Sequence, residues 1–105
     1  MTWELSSHPE VEADLSEASD YYAEIGADLA DSFINEAETA VSFIGQYPEA
    51  GRSIYTRYRR VALDRFPYLV CYRVVGGAIR VLAVVHDRRD PKWVRARLAS
   101  RSLPS

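Results

Sequence analysis

The chain has 105 residues, of which 48% are hydrophobic and 27% are charged. This ordinary globular composition predicts one domain spanning residues 1–105 and leaves no room for a second. The single cysteine, Cys71, excludes an intrachain disulfide and fits a reducing cytoplasm. No basic segment leads into an apolar stretch at the N-terminus and no apolar run approaches about 18 residues, so we expect neither a signal peptide nor a membrane span.

Charge is divided unequally along the chain. Residues 1–50 contain twelve Asp and Glu and no Lys or Arg, whereas residues 51–105 contain all 13 Lys and Arg and three Asp, giving formal charges of −12 and +10. Such asymmetry indicates an anion-binding face, or two halves that neutralise each other across their contact, and both interpretations remain open. The pI near 5.6 disfavours a general nucleic-acid binder.

The N-terminal segment predicts a strand followed by a helix start. Apolar and polar residues alternate over Thr2–Leu5, as in a brief strand. The run Ser7-His8-Pro9-Glu10 then predicts an N-cap, in which the Ser7 hydroxyl, or His8 one residue later, precedes a capping-box Glu10.

Two amphipathic helices should follow. Apolar residues recur at spacings of three and four from Val11 onward, and Gly26 should end this first helix. A second stripe predicts a helix over about 28–46, with Pro48 just beyond its end. The short break predicts an antiparallel helical hairpin, whose acidic outer faces should be solvated.

The second half of the chain should be mostly strand. Val61–Leu63 has the composition of a strand interior, and a tight β-hairpin is predicted with strands 68–75 and 78–85 joined by Gly76-Gly77. After Pro91, the segment Lys92–Ala99 predicts a short helix.

The hairpin register assigns side chains to two faces of the sheet. One face should carry the pairs Val74–Ile79, Tyr72–Val81, Val70–Ala83 and Tyr68–Val85, which the helical hairpin should cover. The other should carry Arg73–Arg80, Cys71–Leu82 and Leu69–Val84, and its apolar part needs either the terminal helix or a second chain as its cover. The two arginines either extend into water or bind an anionic group.

The predicted order is β-α-α-β-β-β-α. It indicates an α+β fold in which a short N-terminal strand and an antiparallel helical hairpin pack on a small, mainly antiparallel sheet, with a short C-terminal helix.

Known metal and nucleotide motifs are missing from the sequence. His8 and His86 are the only histidines, Cys71 is alone, and no Walker A or G-x-G-x-x-G loop occurs, so we expect no metal and no cofactor. What remains is a basic set, mostly arginine, whose guanidinium fork suits phosphate and carboxylate. This set comprises Arg52, Arg57, Arg59, Arg60, Arg65, Arg73, Arg80, Arg88 and Arg89.

His86 has two interpretations. Metal-free cleavage of RNA needs a base, an acid and cations at the phosphate, and His86 with Arg88 could supply part of this. The alternative is a structural role at the strand end, with His86 bonded to Asp87, Asp90 or a main-chain group.

With the element order in hand, residues 59–93 resemble the ParE/RelE superfamily of small bacterial toxins, the toxin halves of type II toxin–antitoxin (plasmid stabilisation) modules. The helical half is similar in length and ends in the turn Tyr47-Pro48-Glu49-Ala50-Gly51. The resemblance rests on Tyr58-Arg59-Arg60, on FPYLVCYRV at 66–74, on IRVLAVVH at 79–86 and on Arg88-Arg89-Asp90-Pro91-Lys92-Trp93.

This resemblance implies a cytoplasmic growth inhibitor held inactive by a cognate antitoxin. ParE-like members act on DNA gyrase, whereas RelE-like members cut mRNA on the ribosome. Arg88 matches the RelE-like arginine after the last strand, but Leu69 and Val94 fall near positions where those nucleases have an arginine and a tyrosine. A ParE-like toxin is therefore favoured. The alternatives are a RelE-like endoribonuclease and an inactive homologue that only binds its antitoxin.

The resemblance and the sheet pattern together give candidate sites. The target-binding residues should be Arg88, Arg89, Lys92 and Trp93, and a nuclease would use His86 and Arg88. The antitoxin should contact the second sheet face through Leu69, Cys71, Arg73, Arg80, Leu82 and Val84.

Overall fold

A computed structural model describes residues 3–102. The strands are β1 (Glu4–Ser7), β2 (Arg52–Ile54), β3 (Tyr58–Ala62), β4 (Tyr68–Val75) and β5 (Ala78–His86), and the helices are α1 (Val11–Ile25), α2 (Ala27–Gln46) and α3 (Pro91–Arg101). The strands form one sheet in the order β1-β5-β4-β3-β2, in which β1 is parallel to β5 and every other pair is antiparallel. The predicted α+β arrangement is confirmed. No helix within residues 3–102 is long and apolar enough to cross a membrane.

The first strand and the first helix cap differ from prediction. The strand begins at Glu4 and runs to Ser7, so it lies later than the predicted Thr2–Leu5, and Thr2 lies outside the described residues. Ser7 therefore belongs to β1 and does not cap α1. Instead, His8 Nδ1 accepts a hydrogen bond from the Glu10 N–H at 3.0 Å. The imidazole of His8, the second predicted position for the cap, thus satisfies a backbone donor just before the helix in place of the Ser7 hydroxyl.

The helical hairpin is confirmed. Gly26 separates α1 from α2, and its N–H donates to the Tyr22 carbonyl, completing the last turn of α1. Together α1 and α2 cover one face of the sheet. Their common core holds an aromatic cluster of Tyr22, Phe33, Phe66 and Tyr68, whose ring centroids lie between 4.9 and 6.2 Å apart.

A second hairpin was missing from the prediction. The basic segment after Gly51 divides into β2 and β3, which pair Arg52 with Arg60 and Ile54 with Tyr58. The turn between them uses Tyr55 and Thr56 at φ of 50° and 64°, a left-handed conformation that side-chain-bearing residues rarely adopt. Because no glycine or asparagine marks this turn, local sequence rules do not reveal it.

The Gly76-Gly77 hairpin is confirmed, but its register changes halfway. The pairs Val74–Ile79, Arg73–Arg80 and Tyr72–Val81 form as predicted, and a β-bulge then leaves Leu82 unpaired. The remaining pairs are Cys71–Ala83, Val70–Val84, Leu69–Val85 and Tyr68–His86. The four predicted pairs beyond the bulge are therefore wrong, because one inserted residue reverses the faces of all residues after it.

The bulge decides which residues each layer covers. Val84 packs with the helical hairpin, whereas Ala83 and Val85 join Cys71 and Leu82 on the opposite face. That second face is covered by α3, which buries Val94 and Leu98 against it. The terminal helix, one of the two elements predicted to cover this face, therefore does so.

Candidate target-binding surface

The four predicted target-binding residues lie close together at the start of α3. Arg88, Arg89 and Lys92 are exposed and Trp93 is half-buried. Pro91 occupies the first helical position, where its missing N–H costs nothing, and the Asp90 carboxylate accepts from the Lys92 N–H at 2.9 Å. The N-cap thus fixes where the helix begins and holds the basic side chains at the exit of β5.

Trp93 organises the charges of this surface. The Arg89 guanidinium lies 4.3 Å from the centroid of the indole ring, and the Arg97 guanidinium lies 4.4 Å from it. Such cation–π contacts stabilise by roughly 0.5–1 kcal/mol each at exposed sites. Arg97 stands four residues after Trp93, a spacing that places the two on one side of α3. Arg89 reaches the same ring from the turn that precedes the N-cap Asp90. The stack reduces the freedom of two long side chains. Arg89 remains exposed, whereas the Arg97 guanidinium also lies 3.8 Å from Asp14 Oδ1.

The far end of α3 is anchored to α1. Arg101 is only 7% exposed, and its guanidinium donates to both carboxylate oxygens of Asp14, at 2.6 and 3.0 Å. It also donates to the Leu82 carbonyl at 3.0 Å, while Asp14 accepts a further bond from the Val84 N–H at 3.0 Å. These bonds join α1, the bulged part of β5 and α3 in one polar network. Neither residue was predicted from the sequence, since nothing local connects positions 87 residues apart.

His86 makes the main-chain contact expected of a structural residue. Its Nδ1 accepts from the Arg88 N–H at 3.1 Å, and the same atom lies 3.5 Å from Asp87 Oδ1. With Nδ1 as acceptor, a neutral imidazole carries its proton on Nε2 and can act there only as a donor. Arg88 approaches His86 through its backbone, and its side chain is exposed.

The expected antitoxin face contains both buried and accessible residues. Cys71 and Leu82 lie under α3 and Val84 lies under the helical hairpin, each no more than 5% exposed. Because the chain covers these three side chains itself, a partner could reach them only by displacing a helix. Leu69, Arg73 and Arg80 remain partly accessible. The Arg80 guanidinium donates to Ser6 Oγ at 3.2 Å, so it ties β5 to β1.

An apolar groove opens elsewhere, between α2 and β3. Its volume is about 270 Å³. Phe43 of α2 is 41% exposed at this groove and stacks on Tyr47, with 5.5 Å between the ring centroids. Strand β2 pairs with β3 only through Tyr58–Arg60, which leaves Val61 and Ala62 as an unpaired strand edge facing the groove. The remaining lining comes from Glu36, Thr39, Ala40, Leu63 and Asp64.

The described residues offer no group of three or more His, Cys, Asp or Glu side chains that could hold a metal ion. The surface around α3 presents cations and an indole ring. It suits contact with an acidic macromolecular surface or with phosphate.

The fold is that of the small α+β toxins of bacterial toxin–antitoxin systems. Residues 5–91 match the family described as the ParE toxin of the type II toxin–antitoxin system parDE, and the chain belongs to that family. It is 39% identical over 104 residues to Toxin ParE2 of Mycobacterium tuberculosis, from both strain CDC 1551 / Oshkosh and strain H37Rv, covering 98% of this chain and 99% of the relative.

Solved structures agree with this assignment. A chain of the chromosomal ParDE toxin–antitoxin system from Pseudomonas aeruginosa superposes with a TM-score of 0.73 and 27% identity, over 81% of this chain and 96% of that one. A mutant of the Escherichia coli toxin RelE in the free state superposes with a TM-score of 0.65 over 98% of this chain and 100% of that one. At 14% identity, this second likeness shows a shared fold only.

Proposed function

We propose that this ParE-family toxin inhibits growth by binding DNA gyrase in the cytoplasm, and that the contact surface is the start of α3 with Arg88, Arg89, Lys92 and Trp93. The observation that carries the proposal is the rigid presentation of this cationic surface. The Arg89–Trp93–Arg97 stack holds two of its four side chains, Arg89 and Trp93, and the Asp14–Arg101 network holds the helix. A fixed charged surface binds without the entropy cost of ordering long side chains.

Contact with a protein target fits the chemistry of His86 better than ribonuclease activity does. General-base catalysis needs a free acceptor near the substrate hydroxyl, and the Nδ1 of His86 already accepts the Arg88 N–H. Leu69 supplies no cation in the central strand. These features support the gyrase proposal over mRNA cleavage on the ribosome.

The direct test is to add the purified, antitoxin-free chain to DNA gyrase and measure cleaved DNA. We expect cleaved DNA to accumulate in proportion to the added chain. A folded chain that arrests growth but leaves gyrase unaffected would contradict the gyrase proposal and direct the search to mRNA. A folded chain that neither arrests growth nor affects gyrase would be an inactive homologue.

We propose further that a cognate antitoxin neutralises the chain by laying an apolar segment in the groove between α2 and β3. Membership of a toxin–antitoxin family supplies the partner. The groove supplies an exposed aromatic ring, Phe43, which packs against Tyr47 beside the groove, and an unpaired strand edge at Ala62. Arg73 and Arg80, at the tip of the β4–β5 hairpin, are the accessible charged residues that acidic side chains of the same antitoxin could contact.

A further inference from the structure

A second basic site lies on the α3 side of the sheet, between the β2–β3 hairpin and the start of α3. It is a cleft of about 330 Å³, which is at the lower end of the range for ligand pockets in proteins. Four basic side chains line it, namely Arg52, Arg60, His86 and Arg89, against a single carboxylate, Asp87. The cleft is therefore strongly positive, although the whole chain carries a formal charge of −2.

Arg52 and Arg60 contribute two of the positive charges of the cleft. They stand directly opposite each other on β2 and β3, an arrangement of like charges that is unfavourable in a sheet. Within residues 3–102, no carboxylate lies at ion-pair distance from either guanidinium, and neither has a hydrogen-bond acceptor. The guanidinium groups of Arg52 and Arg60 are therefore free to bind an external anion.

Neighbouring arginines on the same sheet behave differently. Arg59 donates to the carbonyls of Gly51 and Glu49 at 2.8 and 3.1 Å, and Arg80 donates to Ser6 Oγ at 3.2 Å. Their guanidinium groups stabilise turns and strand pairing. The contrast separates arginines that support the fold from Arg52 and Arg60, which have no partner among residues 3–102.

The turn beside the cleft is strained and held in place. Tyr55 and Thr56 both adopt positive φ, and such conformations cost of order 1–3 kcal/mol and persist only where surrounding contacts maintain them. Here α3 provides those contacts. The Tyr55 hydroxyl donates to the Pro91 carbonyl at 3.4 Å, and the Arg95 guanidinium lies 4.8 Å from the centroid of the Tyr55 ring. The turn therefore forms a fixed wall of the cleft.

We propose that this cleft binds the phosphodiester backbone of a single nucleic-acid strand. Two guanidinium forks on adjacent strands can share one phosphate group, whose non-bridging oxygens accept bonds from several directions. Arg89, across the cleft, can reach the next phosphate, and the Tyr55 ring beside them offers a surface for a base. Arg89 belongs to this cleft and to the proposed gyrase surface, whereas Arg52 and Arg60 belong to the cleft alone. Replacement of Arg52 and Arg60 therefore tests strand binding separately from the gyrase proposal.

The test is fluorescence polarisation with labelled single-stranded DNA and RNA of the same sequence, about ten nucleotides long. We expect both strands to bind more weakly as the salt concentration rises. The strand that binds with the higher affinity, DNA or RNA, identifies the type of nucleic acid that the cleft prefers. In Arg52→Gln/Arg60→Gln, affinity should fall at least about tenfold. The slope of the logarithm of the binding constant against the logarithm of salt concentration should decrease in magnitude by about 1.4, for two lost phosphate contacts.

The matched control is Arg57→Gln/Arg73→Gln, which removes the same charge from residues lining a different cleft. It should leave affinity within about twofold of the unmodified chain, since only distant charges are lost. Equal losses in both double variants would show a general charge effect and overturn the proposal, as would an unmodified chain that binds neither strand. Displacement of the strand by polyglutamate at lower concentration than by inorganic phosphate would identify an acidic protein segment as the occupant and also overturn it.

Folding is checked independently in this experiment. Because Arg52 and Arg60 repel each other, their replacement should leave the urea unfolding midpoint unchanged or raise it. A normal midpoint with normal strand binding in Arg52→Gln/Arg60→Gln would exclude these residues from the site.

Discussion

Arg101 and Asp14 lie 87 residues apart in the chain, and the Arg101 guanidinium binds both oxygens of the Asp14 carboxylate, at 2.6 and 3.0 Å. The pair connects the last turn of α3 to the first turns of α1. The carboxylate also accepts from the Val84 N–H, beyond the β-bulge, and lies 3.8 Å from the Arg97 guanidinium. This ion pair therefore acts with the buried side chains of Val94 and Leu98 to hold the C-terminal helix, and with it the proposed target surface, against the rest of the fold.

Removal of Arg101 should be costly. Arg101→Ala leaves the Asp14 carboxylate largely buried with its closest charged partner missing, and we expect the free energy of unfolding to fall by about 3 kcal/mol. Urea unfolding, monitored by circular dichroism, measures this loss of unfolding free energy. Arg88→Ala, at an exposed side chain, should change the same quantity by less than about 0.5 kcal/mol. Similar values for the two variants would show that the ion pair does not anchor α3.

Tyr72 should stabilise the turn that follows α2. Its fully buried hydroxyl donates to the Pro48 carbonyl at 2.8 Å and accepts from the Gly51 N–H at 3.1 Å. Tyr72→Phe removes the hydroxyl and leaves both main-chain groups without this partner, so the free energy of unfolding should fall by about 1–3 kcal/mol. Tyr21→Phe, at an exposed ring, is the control and should have no measurable effect. Thermal or urea unfolding that is unchanged in Tyr72→Phe would refute this role.

Gly51 should tolerate no side chain. A Cβ at this position would overlap the hydroxyl and ring of Tyr72, which is fixed in the core. Gly51→Ala should therefore destabilise the chain by about 1–3 kcal/mol through overpacking, whereas Gly77→Ala, with no atom within 4 Å of a new Cβ, should cost less. Unfolding midpoints of the two variants, compared side by side, decide the point; equal midpoints would contradict it.

The Cys71 thiol should be inert in the folded chain. Burial raises its pKa to about 12, although the Arg60 guanidinium acts in the opposite direction. Iodoacetamide at pH 8.5 should therefore leave folded protein unmodified and alkylate it once guanidinium chloride unfolds it. Rapid alkylation of the folded chain, read by mass spectrometry, would show that α3 opens readily.

The same shift makes stability depend on pH. The folded thiol holds its proton more tightly than the unfolded thiol, which ionises near pH 8.5. Its stabilising contribution is complete below that pH and is lost as the pH rises toward about 12. Cys71→Ser removes this titration, so its unfolding free energy should decline less steeply over the same alkaline range.

The α3 surface should carry toxicity. Arg88→Ala/Arg89→Ala removes two charges and half of the stack on Trp93, so we expect reduced growth arrest and at least a tenfold loss of gyrase-dependent DNA cleavage, the effect of about 1.4 kcal/mol in binding. Arg57→Ala/Arg73→Ala makes the same change of charge elsewhere and should retain activity. Full toxicity in the first variant would remove Arg88 and Arg89 from the site.

Binding of the antitoxin in the groove between α2 and β3 can be tested by introducing a single carboxylate there. Phe43→Glu places a carboxylate among apolar residues that the antitoxin would cover, and affinity should fall at least tenfold. Tyr21→Glu is a matched control, because Tyr21 is 58% exposed on α1 and lies outside the groove. Calorimetric titration of each variant with the antitoxin provides the comparison. Equal affinities would place the antitoxin elsewhere. Charge reversal at Arg73 and Arg80 then tests the hairpin tip.

The sequence by itself determined the local structure and the family. The spacing of Val11, Leu15 and Ala18 encodes a helix, and Gly76-Gly77 between β-branched runs encodes a hairpin, because both patterns act between residues near one another in the chain. The cations at the start of α3 were also evident, since Pro91 marks a helix start locally.

Only the tertiary structure decided the register of β4 and β5, the helices that cover each face of the sheet, and the side-chain pairs between residues distant in the chain. The bulge at Leu82 moves Val84 to the helical-hairpin face, and the positive φ of Tyr55 and Thr56 turns a basic segment into two strands. Neither feature has a local signal, because packing against α3 stabilises both. The Asp14–Arg101 pair and the opposed Arg52 and Arg60 likewise exist only because the fold brings distant residues together, which no pattern of neighbouring residues can encode.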